Sequence, residues 1–268
     1  MRQIPRLVLA AALSVCPLAA HAVPAATHIY ELNGSLADSL GGPSLAQFGG
    51  GTLGATGFNF PTNQGLSLAG AINASGPYSI ETVFSFDQVS GYRKIIDFKN
   101  RTSDSGFYNL NGSLNFFPVQ TAAANNILPG TLLNVTLTRT AAGQVAGYVN
   151  GALGFSFNDT SSLATFSNDL ALFFVDDTVV QNEASSGFVD RIRIFDTVLS
   201  LQDAIDLAAG IAPPNTGTTP GGGGTTPGGG GTTPGGGSGG TQPVGVPEPA
   251  SLALLGAGLL GVALRRRA

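Results

Sequence analysis

Tyr78 to Phe86 spell "YSIETVFSF", nine residues that alternate along the chain. Ile80, Thr82, Phe84 and Phe86 fall on one side, and Ser79, Glu81, Val83 and Ser85 on the other. Period two is the signature of an extended strand with one face turned to a core. An amphipathic helix would instead space its apolar residues three and four apart. "LLNVTLTRT" (132–140) repeats the pattern, with Leu133, Val135, Leu137 and Arg139 against Asn134, Thr136 and Thr138. "GFVDRIRIFD" (187–196) does so again, with Val189, Arg191 and Arg193 against Phe188, Asp190, Ile192 and Ile194.

The turns agree with strands. Asn111-Gly112 separates "SGFYNL" from "SLNFFP", and Asn150-Gly151 separates "GQVAGYV" from "ALGFSF". Asn and Gly tolerate the positive φ of a type I′ turn, so both pairs predict two-residue hairpins. One body segment reads as helix, "SLQDAIDLAAG" from Ser200 to Gly210. Ser200 can cap it, Asp203 stands at the capping-box distance, and Gly210 stops it. Leu201, Ile205 and Ala208 would form its apolar stripe. Many short strands, Gly-rich turns and one terminal helix predict an all-β fold, an antiparallel β-sandwich.

Composition divides the 268 residues into four segments. Residues 1–22 have a basic start (Arg2, Arg6), an apolar stretch from Leu7 to Leu18, and the small-x-small triplet Ala20-His21-Ala22. That is the layout of a secretory signal peptide, cut by signal peptidase between Ala22 and Val23. The apolar stretch is short for a retained membrane span, which needs ~20 residues. Bulky Val15 before Cys16 argues against a lipoprotein. Residues 23–212 are the globular body. Residues 213–245 repeat "TTPGGGG", carry nothing to bury and read as a flexible, disordered linker. Its reach is about 30 Å as a random coil. Residues 246–268 hold Val246-Pro247-Glu248-Pro249, an apolar run, and Arg265, Arg266 and Arg267. The run from Ala250 to Leu264 would make a helix of about 22 Å, short of the ~30 Å of bilayer hydrocarbon. It suits transient membrane insertion with the arginines on the cytoplasmic side.

Charge and chemistry exclude several functions. Cys16 is the single cysteine, so the mature chain has no disulfide, thiolate metal site or thiol redox chemistry. The body has seven Lys and Arg against fifteen Asp and Glu, a balance of −8. No nucleic-acid partner fits that surface. After maturation His28 is the one histidine, which leaves a serine triad or zinc site without its bases. Glu31, Glu81 and Glu183 are the body's glutamates, and none stands in the Glu-x-Asp-x-x-Glu strand pattern of glucanases. A non-enzymatic protein is expected. Asp176-Asp177 after "LALFF" could form an acidic site, although adjacent carboxylates point apart on a strand. The loop "GYRKIIDFKNR" is the one basic cluster. Arg93, Lys94, Lys99 and Arg101 there could bind acidic polysaccharide, or simply form a solvated hairpin end.

The order of segments carries a resemblance. "IYELNGSLADSLGG", "YSIETVFSF", "KIIDFKN…SGFYNLNGSLNF", "LLNVTLTRTAAGQVAGYVNG" and "GFVDRIRIFDTVLSLQDAIDL" together resemble a laminin-G-like jelly-roll domain of the concanavalin A-like superfamily, over about Ile29 to Leu207. The resemblance implies one calcium ion held by aspartate and backbone oxygens, which maps onto Asp38 and Asp190. The family often places a Trp before the strand at Leu133. This chain has no Trp, leaving Leu132 or Leu133 to fill that space. The tail resembles a PEP-CTERM sorting signal, with Pro247, Glu248 and Pro249 on the motif and Arg265 to Arg267 on its basic end. That resemblance implies an exosortase-type processing enzyme as partner. It also implies export to the cell surface or matrix of a cell that builds exopolysaccharide. The expected role is adhesion or matrix structure through glycan or protein binding. A lectin of defined ligand and a polysaccharide-cleaving enzyme are the alternatives.

Overall fold

The computed structural model describes residues 21–73, 76–122 and 127–213. The leader up to residue 20, nearly all of the linker, and the sorting segment lie outside the described residues. Among those described, no helix is long and apolar enough to cross a membrane.

The strands in chain order are β1 (His28–Tyr30), β2 (Ala46–Phe48), β3 (Thr52–Leu53), β4 (Phe58–Phe60), β5 (Gly65–Ala69), β6 (Tyr78–Phe86), β7 (Tyr92–Asp97) and β8 (Gly106–Leu110). Then come β9 (Ser113–Phe117), β10 (Gln120–Thr121), β11 (Leu133–Arg139), β12 (Gln144–Val149), β13 (Ala152–Asn158), β14 (Leu170–Phe173) and β15 (Gly187–Phe195). One α-helix, α1 (Leu201–Ala208), closes the domain. Sheet A runs β13-β12-β11-β6-β15-β4-β3, with β1 also paired to β15. Sheet B runs β10-β9-β8-β7-β14-β5-β2. Every described strand pair is antiparallel. The result is the expected β-sandwich.

The core lies between the two sheets and is rich in phenylalanine. Phe60 stacks on Phe174 at 4.3 Å between centroids, and Phe84 meets Phe86 edge-on at 4.9 Å. Each such buried ring contributes about 1.5–3 kcal/mol by leaving water. Leu133 is buried and Leu132 is half exposed, so Leu133 occupies the inward position at the start of β11.

Both hairpins form as their turns predict. Asn111 and Gly112 have φ of 50° and 84°, and Asn150 and Gly151 have 49° and 78°. A Cβ on Gly151 would sit 2.8 Å from the Ile205 Cα, so the turn must present bare backbone to the helix.

Three local expectations change. First, β6 and β11 are buried on both faces, not one. β6 lies between β11 and β15, and its outer face carries Glu81, which is fully buried. Glu81 is neutralised there by Arg193 at 3.2 Å and Arg191 at 3.5 Å, and it accepts a 2.6 Å hydrogen bond from Asn134. Second, β15 does not keep one phase. Its register against β6 shifts between Val189 and Arg191. This bulge at Asp190 lets Val189 join Ile192 and Ile194 in the core while both arginines face outward.

Third, α1 turns a different side inward. Ala204 and Leu207 are buried, whereas Leu201 and Ile205 are exposed. The cap sets this rotation: Ser200 and Asp203 form a reciprocal capping box that buries Asp203. Leu207 then packs with Val23, Ala26, Ile29, Phe195 and Leu199 in a small second core outside sheet A. Val23, the expected mature N-terminus, is therefore part of a packed cluster.

Candidate functional site

The four cations of the basic loop do not form a free patch. Lys94 is wholly buried, with its Nζ 2.5 Å from Asp177 Oδ2 and 3.8 Å from Asp97 Oδ2. It cannot be the surface contact suggested by sequence, because the β14–β15 loop covers it. The Lys94 N–H donates to the Glu183 carbonyl at 2.7 Å. Lys99 Nζ donates to the carbonyls of Ser162 (2.7 Å) and Thr165 (2.8 Å) and to Thr165 Oγ1. Arg101 Nε donates to the Asp176 carbonyl at 2.6 Å, and its guanidinium lies over the Phe48 ring. Arg93 donates to the carbonyls of Tyr92 and Asn182. Each cation fastens a loop to the sandwich.

Asp38 and Asp190 serve local structure. Asp38 Oδ1 accepts from the N–H groups of Ile29 (2.8 Å) and Leu40 (3.0 Å). Its Oδ2 accepts from Gly42 N–H (2.9 Å) and meets His28 Nδ1 at 2.7 Å. Burial works to raise the Asp38 pKa, but these bonds together hold it below the usual carboxylate range. Asp190 sits at the bulge of β15 and lies 3.6 Å from Arg191. Neither aspartate joins a group of three or more candidate metal ligands among the described residues.

The chemistry instead gathers on the outer face of sheet B. Register places Tyr92 opposite Leu110, Lys94 opposite Tyr108, Tyr108 opposite Asn115, and Gly106 opposite Phe117. Their inward neighbours Phe107, Leu114 and Phe116 belong to the core, so these residues point outward. The rings of Tyr92 and Phe117 approach to 5.6 Å, and Tyr92 meets Tyr108 edge-on at 5.4 Å. Tyr92 and Phe117 keep part of their surface exposed, whereas Tyr108 is fully buried beneath them. Lys94 lies over the Tyr108 ring at 4.5 Å, a cation–π contact within a dry layer.

Tyr108 connects the rings to an acidic group. Its hydroxyl donates to the Asp104 carbonyl at 2.8 Å and lies 3.4 Å from Asp177 Oδ2. Carboxylate oxygens of Asp104, Asp177 and Glu183 all lie within 4.8 Å of one another. Asp104 comes from the β7–β8 loop, and Asp177 and Glu183 from the β14–β15 loop. Both Asp177 oxygens are engaged. Oδ1 accepts from the N–H groups of Val179 and Val180, and Oδ2 from Lys94. Asp104 and Glu183 are half buried and form the solvent side.

The electrostatics follow. Burial and then the charges of Asp104 and Asp176 push Glu183 up to about 7. Burial and Asp177 also raise Asp104. Asp177 moves the other way. Burial opposes its ionisation, but the Lys94 hydrogen bond and the Val180 N–H hold it below the ordinary value. Two buried polar atoms on this side have no hydrogen-bond partner: Asp97 Oδ2, which faces Lys94, and Asn115 Oδ1. The Asn115 residue is 4% exposed and donates its Nδ2 to Thr121.

Sequence reasoning singled out Asp176-Asp177 as a possible acidic site but missed Asp104 and Glu183. No spacing joins residues 104 and 183; two loops bring them together. The aromatic pair was also hidden, because Tyr92 and Phe117 sit on separate strands.

Comparison with known proteins now bears on these observations. Among curated proteins none matches this chain. Solved structures share the sandwich. Domain 4 of AbnA, a GH43 extracellular arabinanase from Geobacillus stearothermophilus in complex with arabinotriose, is 18% identical with a TM-score of 0.54. The match covers 69% of this chain and 98% of that one. The Trypanosoma rangeli sialidase is 14% identical with a TM-score of 0.56. It covers 69% of this chain but 33% of the sialidase, so the likeness concerns about a third of that protein. The botulinum neurotoxin serotype D binding domain is 15% identical with a TM-score of 0.51, covering 70% of this chain and 52% of its own. At these identities the likeness is one of fold. The tail is assigned more directly, by the family model described as the PEP-CTERM protein-sorting motif, over residues 245–267. The chain is thus a β-sandwich domain followed by a PEP-CTERM sorting motif, which implies export and processing by an exosortase.

Proposed function

We propose that this is an exported surface protein that binds glycans without cleaving them, through the outer face of sheet B, and that it serves adhesion or matrix structure. The observation carrying the reading is the strip itself. Two partly exposed rings, Tyr92 and Phe117, are joined to the acidic group through Tyr108, whose ring meets Tyr92 and whose hydroxyl meets Asp104, with the orphan Asn115 oxygen on the same face. Aromatic faces cover the apolar sides of sugar rings, and carboxylate and amide oxygens accept from sugar hydroxyls. This answers the missing Trp: tyrosine and phenylalanine provide the platform. The arabinotriose named with the similar arabinanase domain supports the same class of partner.

One observation favours a second reading. A glutamic acid pushed up to about 7 beside another carboxylate is what a general acid requires. Yet its neighbour Asp104 is shifted upward too, whereas glycoside hydrolysis needs the two carboxyl groups pushed apart, one kept as an acid and one ionised. Both Asp177 oxygens are already engaged. Binding is therefore the preferred reading.

The test uses the purified mature protein and exopolysaccharide from the producing cells. Co-sedimentation is expected, with at least a tenfold loss in Tyr92→Ala or Phe117→Ala. New reducing ends would favour cleavage, and no association with any polysaccharide would overturn the proposal.

A further inference from the structure

We propose that the strip recognises a cationic amino sugar, a hexosamine residue whose amine is free and protonated, held between Asp104 and Glu183. The inference rests on the glycan-binding reading and names the substrate class of that site.

Charge is the first argument. Asp97, Asp104, Asp176, Asp177 and Glu183 gather around one buried ammonium, that of Lys94. Lys99, Arg93 and Arg101 spend donors on backbone carbonyls at this end of the sheet. The surplus negative charge opens to solvent at Asp104 and Glu183. Burial and the neighbouring carboxylates raise both groups. A ligand ammonium relieves that crowding with three donors and no geometric demand beyond hydrogen bonds.

The second argument is independent of the acidic residues. Asn115 Oδ1 is buried without a partner on the same face, directly across β8–β9 from Tyr108. The rings of Tyr92 and Phe117 offer apolar cover on that same face. A sugar with a ring face and an amine matches that combination.

A divalent metal fits less well. Lys94 occupies the cation position, and Asp177 has both oxygens committed. Ca²⁺ prefers six to eight oxygen ligands, and the carboxylates of Asp104 and Glu183 fall well short of that number. The domain's charge of −8 adds long-range attraction for a cationic polymer, reduced by salt.

Calorimetry on the purified mature protein tests the inference at pH 6. The probes are β-1,4-linked glucosamine oligomers, their N-acetylated counterparts, glucose oligomers of equal length, and CaCl₂ alone. The free-amine oligomer should bind at least tenfold more tightly than the acetylated one. Its heat should differ between buffers of different ionisation enthalpy, because the ammonium displaces a proton. Glu183→Gln and Asp104→Asn should bring the two affinities to parity while each still unfolds in one cooperative transition. Equal affinity of free and acetylated oligomers for the wild type would overturn the amine assignment and leave glycan binding intact. Ca²⁺ binding that the same substitutions abolish, and that competes with the oligomer, would overturn it in favour of a metal site. Absence of binding by every oligomer would overturn the glycan reading and this inference together.

Discussion

Lys94 Nζ and Asp177 Oδ2 lie 2.5 Å apart with both side chains wholly buried, so the strip is built over an ion pair that water does not reach. Pairs of this kind weigh heavily when broken. Desolvation has already been met on folding, and removal of one partner strands the other charge.

Lys94→Met should therefore destabilise the domain by about 3–5 kcal/mol, because Asp177 and Asp97 lose their counter-charge. A double variant, Lys94→Met with Asp177→Leu, should lose less than the sum of the two single losses. Urea unfolding of the four proteins gives the comparison. Strict additivity would show that the pair contributes nothing as a pair.

Glu183 predicts a pH signature. Its folded pKa of about 7 is above the ordinary 4.5, so the fold disfavours the charged form. Below 4.5 it is protonated in both states and carries no penalty. From 4.5 to 7 the native state retains a proton that the unfolded state has released, so stability falls as pH rises. Above 7 the penalty is complete. Glu183→Gln should flatten that slope and raise the melting temperature at pH 8, on the order of 2 °C. An unchanged slope between these pH values would remove Glu183 from the account.

Much of the fold was legible in the sequence, for identifiable reasons. Asn-Gly pairs have few alternatives, and the alternation in β6 and β11 survives intact. What was lost came from tertiary effects. One extra residue at Asp190 inverts the phase of β15, and alternation counted across it assigns Val189 to the wrong side. The rotation of α1 follows the capping box rather than its most apolar stripe. The site was least visible, because a run of basic residues signals a surface patch until loops arrive to cover Lys94. Asp104 and Glu183 meet through a sheet pairing that no local pattern announces.

Gly151 and Gly34 both have positive φ, 78° and 73°, but differ in surroundings. A Cβ at Gly34 meets nothing within 4 Å, whereas one at Gly151 would press on the Ile205 backbone at 2.8 Å. Gly34→Ala should cost about 1–2 kcal/mol, the backbone penalty alone. Gly151→Ala should cost more, and should loosen α1 as read by amide exchange at Ala204 and Leu207. Equal losses would mean that the helix yields without strain.

Replacing Ser200 with Ala removes one half of the capping box and should cost about 1 kcal/mol. Thermal melts and helix-specific exchange would report it. Asp203→Ala should cost at least as much, because it removes the acceptor for both the Ser200 N–H and hydroxyl.

Intact mass of the exported protein should show a chain that begins at Val23 and lacks Arg265 to Arg267. Pro247-Glu248-Pro249 changed to three alanines should retain those arginines and accumulate in the membrane fraction. A wild-type mass that keeps the arginines would contradict processing at the tail.

The covering of one wall has its own consequence. Helix α1 lies against β11 and β13, on the side of sheet A. The outer face of sheet B is the opposite wall of the sandwich. The phenylalanine layer stands between the two, so loosening α1 at Ser200 or Gly151 should leave the contact of Tyr92 with Phe117, and any affinity that rests on it, unchanged.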